Sequence, residues 1–170
     1  MNIRILNESD AKMYQELRLR ALKVNPEAFS STYEREIKFT TETVVERLRP
    51  TNNKFVLGAF DNRNFLIGIV TFVRESNLKT AHKGNVYGMF VAPEMRGHGL
   101  GKALLLELMN RAKNLNGLEQ INLTVISENK AAKKLYKSLG FETYGVERNA
   151  LKFNGQYFDE ELMVLNVQTC

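Results

Sequence analysis

From Arg96 to Gly101 the chain runs Arg-Gly-His-Gly-Leu-Gly, with three glycines at alternate positions directly before an apolar helical repeat. A turn needs one glycine, so three ask for another explanation. Glycines at a strand-to-helix junction expose unpaired backbone N–H groups at the positive end of a helix dipole, a place that receives phosphate without dedicated side chains. Gly97, Gly99 and Gly101 remove the Cβ atoms that would hold an anion away, and Arg96 and Lys102 add cationic donors. The chemistry indicated is the holding of a polyphosphate. Two familiar phosphate signatures fail. A P-loop requires Ser or Thr after Gly-Lys, and Ala103 follows Gly101-Lys102; a dinucleotide fingerprint counted from Gly97 and Gly99 requires glycine where Lys102 stands. A second loaded stretch begins at Asn129, placed three residues before Ala132 as a helix N-cap would be. Its helix carries the phenol of Tyr136, for which Phe141 is the obvious packing partner.

The elements that must position these groups follow from periodicity. Asn2 to Leu6 is a short strand. A helix follows, capped by Ser9 or Asp10, with Ala11, Tyr14, Leu17, Ala21 and Leu22 on its apolar face and Pro26 as its stop. Thr40 or Thr41 caps a shorter helix ending near Leu48. Two β runs, Phe55–Phe60 and Phe65–Val73, are joined by a hairpin loop, and a polar connection over 76–84 leads to a strand Val86–Val91 closed by Pro93. From Leu100 the period is helical, with Leu104, Leu105, Leu108, Ala112 and Leu115 on one stripe and Asn116-Gly117 as the stop. A strand Ile121–Ile126, a helix from Asn129 to Leu139 stopped by Gly140, and short strands Phe141–Val146 and Ala150–Phe153 come next. Asn154-Gly155 fits a type I′ turn, and Gln156–Leu165 returns from it. No repeat or linker interrupts the order, so 1–170 is expected to be one α/β domain.

Composition narrows the class. The net charge of +5 suits an anionic ligand, but the basic residues are scattered among acids, with no basic block interleaved with aromatics, which argues against a nucleic-acid partner. Two histidines, His82 and His98, are too few to argue for zinc, and no metal site is expected. The one cysteine, Cys170, is expected to be a loose tail residue and not a nucleophile. No apolar run approaches the ~20 residues of a membrane span and no signal-peptide pattern opens the chain, so the expected location is the cytoplasm, with no membrane partner.

The two loaded stretches together resemble the GCN5-related N-acetyltransferases. Arg96, Gly99 and Gly101 meet that family's Arg/Gln-x-x-Gly-x-Gly/Ala, Val91-Ala92-Pro93 resembles its strand exit, and Asn129 to Phe141 is similar to its second motif, Asn-x-x-Ala-x-x-Leu-Tyr ending in Gly-Phe. The resemblance spans about Ile3 to Leu165. It implies a mixed, strongly twisted sheet of six to seven strands flanked by helices, whose parallel fourth and fifth strands splay apart to admit the pantetheine arm of acetyl-CoA. It implies that Met89, Phe90 and Val91 line that arm, with the Val91 N–H facing the acetyl oxygen. It further implies that Arg96, Gly97, His98, Gly99, Leu100, Gly101 and Lys102 hold the pyrophosphate, that Asn129 bonds the arm, that Lys133 reaches the ribose phosphate, and that Tyr136 protonates the departing thiolate.

The activity implied is direct transfer of acetyl to a primary amine of a small molecule or peptide. The alternative is a non-catalytic acetyl-CoA-binding or sensing module of the same fold. An amine of pKa about 10.4 is neutral in only about one part in 2,500 at pH 7, a handicap of roughly 4–5 kcal/mol, so a base is needed. Where family members often carry glutamate the chain has Asn85, which takes up no proton. Glu34 is expected to be the base, ahead of Glu36 and His82, because 33–36 falls where the acceptor wall should be. A homodimer covering a terminal strand such as Gln156–Leu165 completes the expectations.

Overall fold

The computed structural model describes residues 1–167, so Cys170 lies outside the described residues. The chain begins with β1 (Asn2–Ile5), α1 (Ala11–Val24), α2 (Tyr33–Glu36) and α3 (Thr41–Leu48). It continues through β2 (Lys54–Phe60), β3 (Leu66–Arg74), β4 (Lys83–Val91), α4 (Leu100–Lys113), β5 (Gln120–Ile126), α5 (Lys130–Ser138), β6 (Glu142–Phe153) and β7 (Gln156–Asn166). All seven strands join one sheet in the order β1-β2-β3-β4-β5-β7-β6. Only β4 and β5 run parallel; every other neighbouring pair is antiparallel.

Alternation along the strands sends apolar side chains to both faces, and each face has its own cover. Leu104, Leu105 and Leu108 of α4 pack with Phe72, Ile121 and Met163 on one side. Tyr14 and Leu17 of α1 and Leu48 of α3 pack with Val56, Phe60 and Ile69 on the other. Each fully buried leucine of the α4 stripe contributes about 1.5–3 kcal/mol of transfer free energy. α4 thus fixes the strand-to-helix loop against one face while α1 closes the other.

Several boundaries differ from the sequence expectation for local reasons. Asp10 occupies the N-cap position of α1 but makes no side-chain capping bond; a 3₁₀ turn over Glu8–Asp10 precedes α1, and its cap, Asn7, accepts from the Ser9 N–H at 2.9 Å. The Asp10 carboxylate instead accepts from the Asn7 N–H and from both terminal nitrogens of Arg4. Thr40 is the cap of α3, accepting from the Thr43 N–H at 3.2 Å. β4 begins at Lys83, three residues early, because the polar start of the strand is paired on both sides. The two expected short strands are one strand, β6, with irregular register near Gly145 and again before Leu151, where Asn149 has φ +53°. Asn154 and Gly155 both take positive φ, +49° and +75°, as the expected turn requires. That hairpin puts β7 inside the sheet, so the edges are β1 and β6 and not Gln156–Leu165.

Candidate active site

The parallel strands β4 and β5 pair over only three positions, Lys83 with Gln120, Gly84 with Ile121 and Asn85 with Asn122. Beyond Asn85 they diverge. A cleft of about 1320 Å³ opens between them, lined by Val86–Val91 on one wall and Leu123–Ile126 on the other. The divergence coincides with a bulge: β3 advances from Ile69 to Thr71 while β4 takes three steps between Phe90 and Tyr87. Gly88, in the bulge at φ +60°, supplies a backbone conformation that residues with a Cβ rarely adopt.

Above the bulge the strand presents main-chain groups to the gap. Ala92 donates its N–H to Ile67 O on β3. Successive N–H groups in an antiparallel strand alternate in direction, so that of Val91 points away from β3, toward the opening. The side chain of Met89 also lines it, while the Phe90 ring is buried in the core beneath the Arg96 guanidinium, 5.4 Å away.

At the top of the cleft lies the glycine loop. Gly99 is the N-cap of α4 with φ +76°, and Leu100 is buried and pins the helix start. Among the described residues no carbonyl accepts from the backbone N–H of Gly97, His98, Gly99, Leu100, Gly101 or Lys102. Gly97, Gly99 and Lys102 are exposed and line the cleft, so free donors meet open space at the positive end of a 14-residue helix. His98 is exposed but does not line the cleft. Arg96 is committed elsewhere: its N–H goes to Pro93 O, Nε donates to Val91 O at 3.0 Å and Nη2 to Asn25 Oδ1 at 2.8 Å. Its guanidinium braces the loop, and only Nη1 is uncommitted.

Across the cleft, Asn129 caps α5, accepting from the Ala132 N–H at 3.1 Å. Tyr136, one of the α5 residues lining the cleft, packs edge-on against Phe141 with ring centroids 6.0 Å apart. Its hydroxyl has no protein partner among the described residues. Burial pushes the phenol up to about 12. It is therefore protonated at neutral pH.

Three expected residues are placed away from this constellation. Lys133 is ion-paired with Glu161 at 3.1 Å and does not line the cleft. Glu34 lies in a smaller adjoining pocket of about 470 Å³ and not in the cleft. Glu36, expected as a solvated candidate base, is fully buried. It accepts from Arg18 Nε and Nη2 at 3.1 and 3.0 Å and from Arg47 Nη1 at 2.6 Å. Burial alone would raise its pKa, but the hydrogen bonds from the two arginines outweigh it and hold the carboxyl at about 2. Such a group does not collect protons at neutral pH. Neither Asn85, whose amide donates to Glu75 at 3.4 Å below the fork, nor His82 lines the cleft.

Three glutamates line the cleft, Glu27, Glu128 and Glu160, and none of them was among the expected bases. Glu160 stands on β7 opposite Ile126, and burial, together with the neighbouring Glu147 charge, raises its pKa above the usual glutamate range. Its neighbour Glu161 faces the other way, toward Lys133 on α5. Period-two alternation over Asp159-Glu160-Glu161 was the available signal.

An acetyltransferase (GNAT) domain model matches residues 3–162. The chain belongs to the GNAT acetyltransferase family. A GNAT-family acetyltransferase from Streptococcus pneumoniae superposes on this GNAT domain with TM-score 0.88 at 25% identity, over 98% of this chain and 99% of that one. The structure of yncA, a putative acetyltransferase from Salmonella typhimurium with its cofactor acetyl-CoA, shares the fold with TM-score 0.85 at 22% identity, over 99% of this chain and 94% of the other. A mycothiol acetyltransferase from Kocuria rhizophila is 35% identical over 100 residues, 52% of this GNAT domain and 33% of that protein. The chain thus spans about a third of that relative's length.

Proposed function

We propose that residues 1–170 form one N-acetyltransferase domain that moves acetyl directly from acetyl-CoA to a primary amine of a small molecule or peptide. The observation that carries this reading is the fork beyond Asn85, crowned by six amides without protein acceptors. A pyrophosphate at Gly97–Lys102 and a pantetheine arm beside Met89 and Val91 would occupy groups that nothing else in the chain satisfies. A helix with nowhere to put its first N–H groups pays a desolvation cost that an anion removes.

In the proposed reaction Glu160 takes a proton from the acceptor ammonium, directly or through water. The freed lone pair forms the N–C bond at the acetyl carbonyl, whose oxygen draws the Val91 N–H as charge develops there. Collapse breaks the C–S bond, and one of the two protons still on nitrogen reaches the departing sulfur, yielding the secondary amide and the free thiol. Glu160 then gives its proton to solvent. Tyr136 supports the sulfur as a hydrogen-bond donor. Full transfer from a phenol near 12 to a thiolate of pKa about 8.5 is uphill by of order 5 kcal/mol, so the proton is shared and not surrendered first.

Free thiol released from acetyl-CoA by the purified protein with a panel of amines tests the reading, and background release with every amine overturns it. Tyr136→Phe separates catalysis from mere binding, since a sensing module would not lose turnover. We keep the cytoplasmic location as part of the proposal; no helix among the described residues is long and apolar enough to cross a membrane. We also propose a homodimer closed over the free edge of β6, where Tyr144 and Val146 are exposed. Sedimentation as a monomer at micromolar concentration would exclude it.

A further inference from the structure

The acceptor end of the cleft carries a cation that the reaction above does not use. Arg18, on α1, is nine-tenths buried, yet it lines the cleft. Nε and Nη2 are spent on Glu36, and the ring of Phe29 lies 4.8 Å from the guanidinium carbon. Nη1 donates to no acceptor among the described residues and is not sealed from solvent. It points at the bulge of β4, 3.6 Å from where a Cβ on Gly88 would stand, with Thr71 Oγ1 3.8 Å from the same point. The bulge therefore leaves a small space, bounded by one guanidinium nitrogen and one hydroxyl, beside the fork where the acetyl group is proposed to sit.

The buried ion cluster beside this space is positively charged. One buried carboxylate, Glu36, is shared between two guanidiniums, Arg18 and Arg47, so the cluster carries one uncompensated positive charge. A fixed guanidinium with a spare donor is matched by a carboxylate. A dicationic acceptor would meet repulsion at the same place. On the opposite wall Glu160 offers the complementary charge for an ammonium, and Phe29, Ile126, Leu151, Phe153 and Phe158 add apolar lining beside Glu27 and Ser30.

We propose that the acceptor is a free α-amino acid with a large apolar side chain, its carboxylate received by Arg18 Nη1 beside Gly88 and its amino group turned toward Glu160. The assignment rests on the transfer activity proposed above and names its substrate class. Arg18 acts as a specificity determinant, with no proton to give or take.

Two measurements test it together. Thiol release is followed with leucine, methionine and phenylalanine, each against its carboxamide and its decarboxylated amine. Binding of N-acetylleucine and N-acetylleucine amide to the coenzyme A-saturated protein is followed by calorimetry. The expected result is a preference for the carboxylate of at least about tenfold in kcat/KM and in affinity. Arg18→Lys, or Gly88→Ala where the lysine variant does not fold, should bring the ratio close to one. Equal use of acid and amide overturns the substrate assignment while leaving acetyl transfer standing. A binding preference without thiol release from any amine upholds the carboxylate site and removes the transfer reading. Neither binding nor release overturns both.

Discussion

Asn85 and Asn122 are the last residues paired across β4 and β5, and every group proposed to touch acetyl-CoA or its acceptor lies on the diverging side of that pair. The position expected from the family resemblance to hold a base is therefore at the closed end of the fork. A carboxylate there would have to reach past Val86 and Tyr87. Glu160 approaches instead from β7, on the open side. Glu160→Gln should lower kcat by about 10²-fold with little change in acetyl-CoA affinity, a typical loss for a general base. The acid limb of the kcat/KM profile, lying above the ordinary glutamate range because Glu160 is raised, should disappear in the same variant. Retention of that limb in Glu160→Gln would assign it to another group.

Tyr136→Phe removes the donor but keeps the ring that packs on Phe141. We expect kcat to fall by about 10²-fold, acetyl-CoA affinity to stay within about twofold, and thermal stability to change little. The wild-type rate should show no basic limb from this phenol below pH 10, since burial raises it to about 12. Stopped-flow thiol detection from pH 6 to 10 checks both points.

Gly99→Ala tests the phosphate loop. At φ +76° an alanine costs about 1–2 kcal/mol of strain, and although nothing of the protein stands within 4 Å of the new methyl, a bound pyrophosphate would. Acetyl-CoA affinity should fall by about tenfold or more, far beyond the change in melting temperature, in calorimetry on the same preparation. By contrast Lys133→Ala should leave that affinity within about twofold, because the ammonium is held by Glu161 outside the cleft.

Glu36 governs stability. Its carboxyl is held at about 2 against an ordinary 4.5, a depressed value, so the stabilisation of roughly 3 kcal/mol is complete above pH 4.5 and lost as pH falls toward 2. Glu36→Gln strands two guanidiniums and should cost about 3–5 kcal/mol at pH 7. Urea unfolding at pH 7, 4 and 3 should show the wild type converging on the variant as acid is added. A constant gap between them would refute the assignment.

The half of the candidate site proposed to take the cofactor was legible because it is local. A glycine loop, a capping asparagine and a tyrosine two turns later all lie within single segments, and their spacing alone expresses the geometry. The acceptor half was not. Nothing in the sequence pairs Arg18 with Glu36, because the pairing spans a turn and a second helix that obey no period. The ion pair of Lys133 was illegible for the same reason: Glu161 reaches it only after β7 inserts between β5 and β6. β6 read as two strands because its interior irregularities interrupt the alternation that identifies one.

α1 carries more than Arg18. Arg20, two residues on, grips Glu94 with both terminal nitrogens at 2.7 and 2.6 Å, and Asn25 at the helix end holds Arg96 at the mouth of the glycine loop. α1 is thus latched beside the glycine loop through Arg20 and Asn25, and about half a turn earlier presents Arg18 to the proposed acceptor end of the cleft. We expect the coenzyme to bind before the acceptor, and initial-velocity and product-inhibition kinetics to show an ordered sequential pattern.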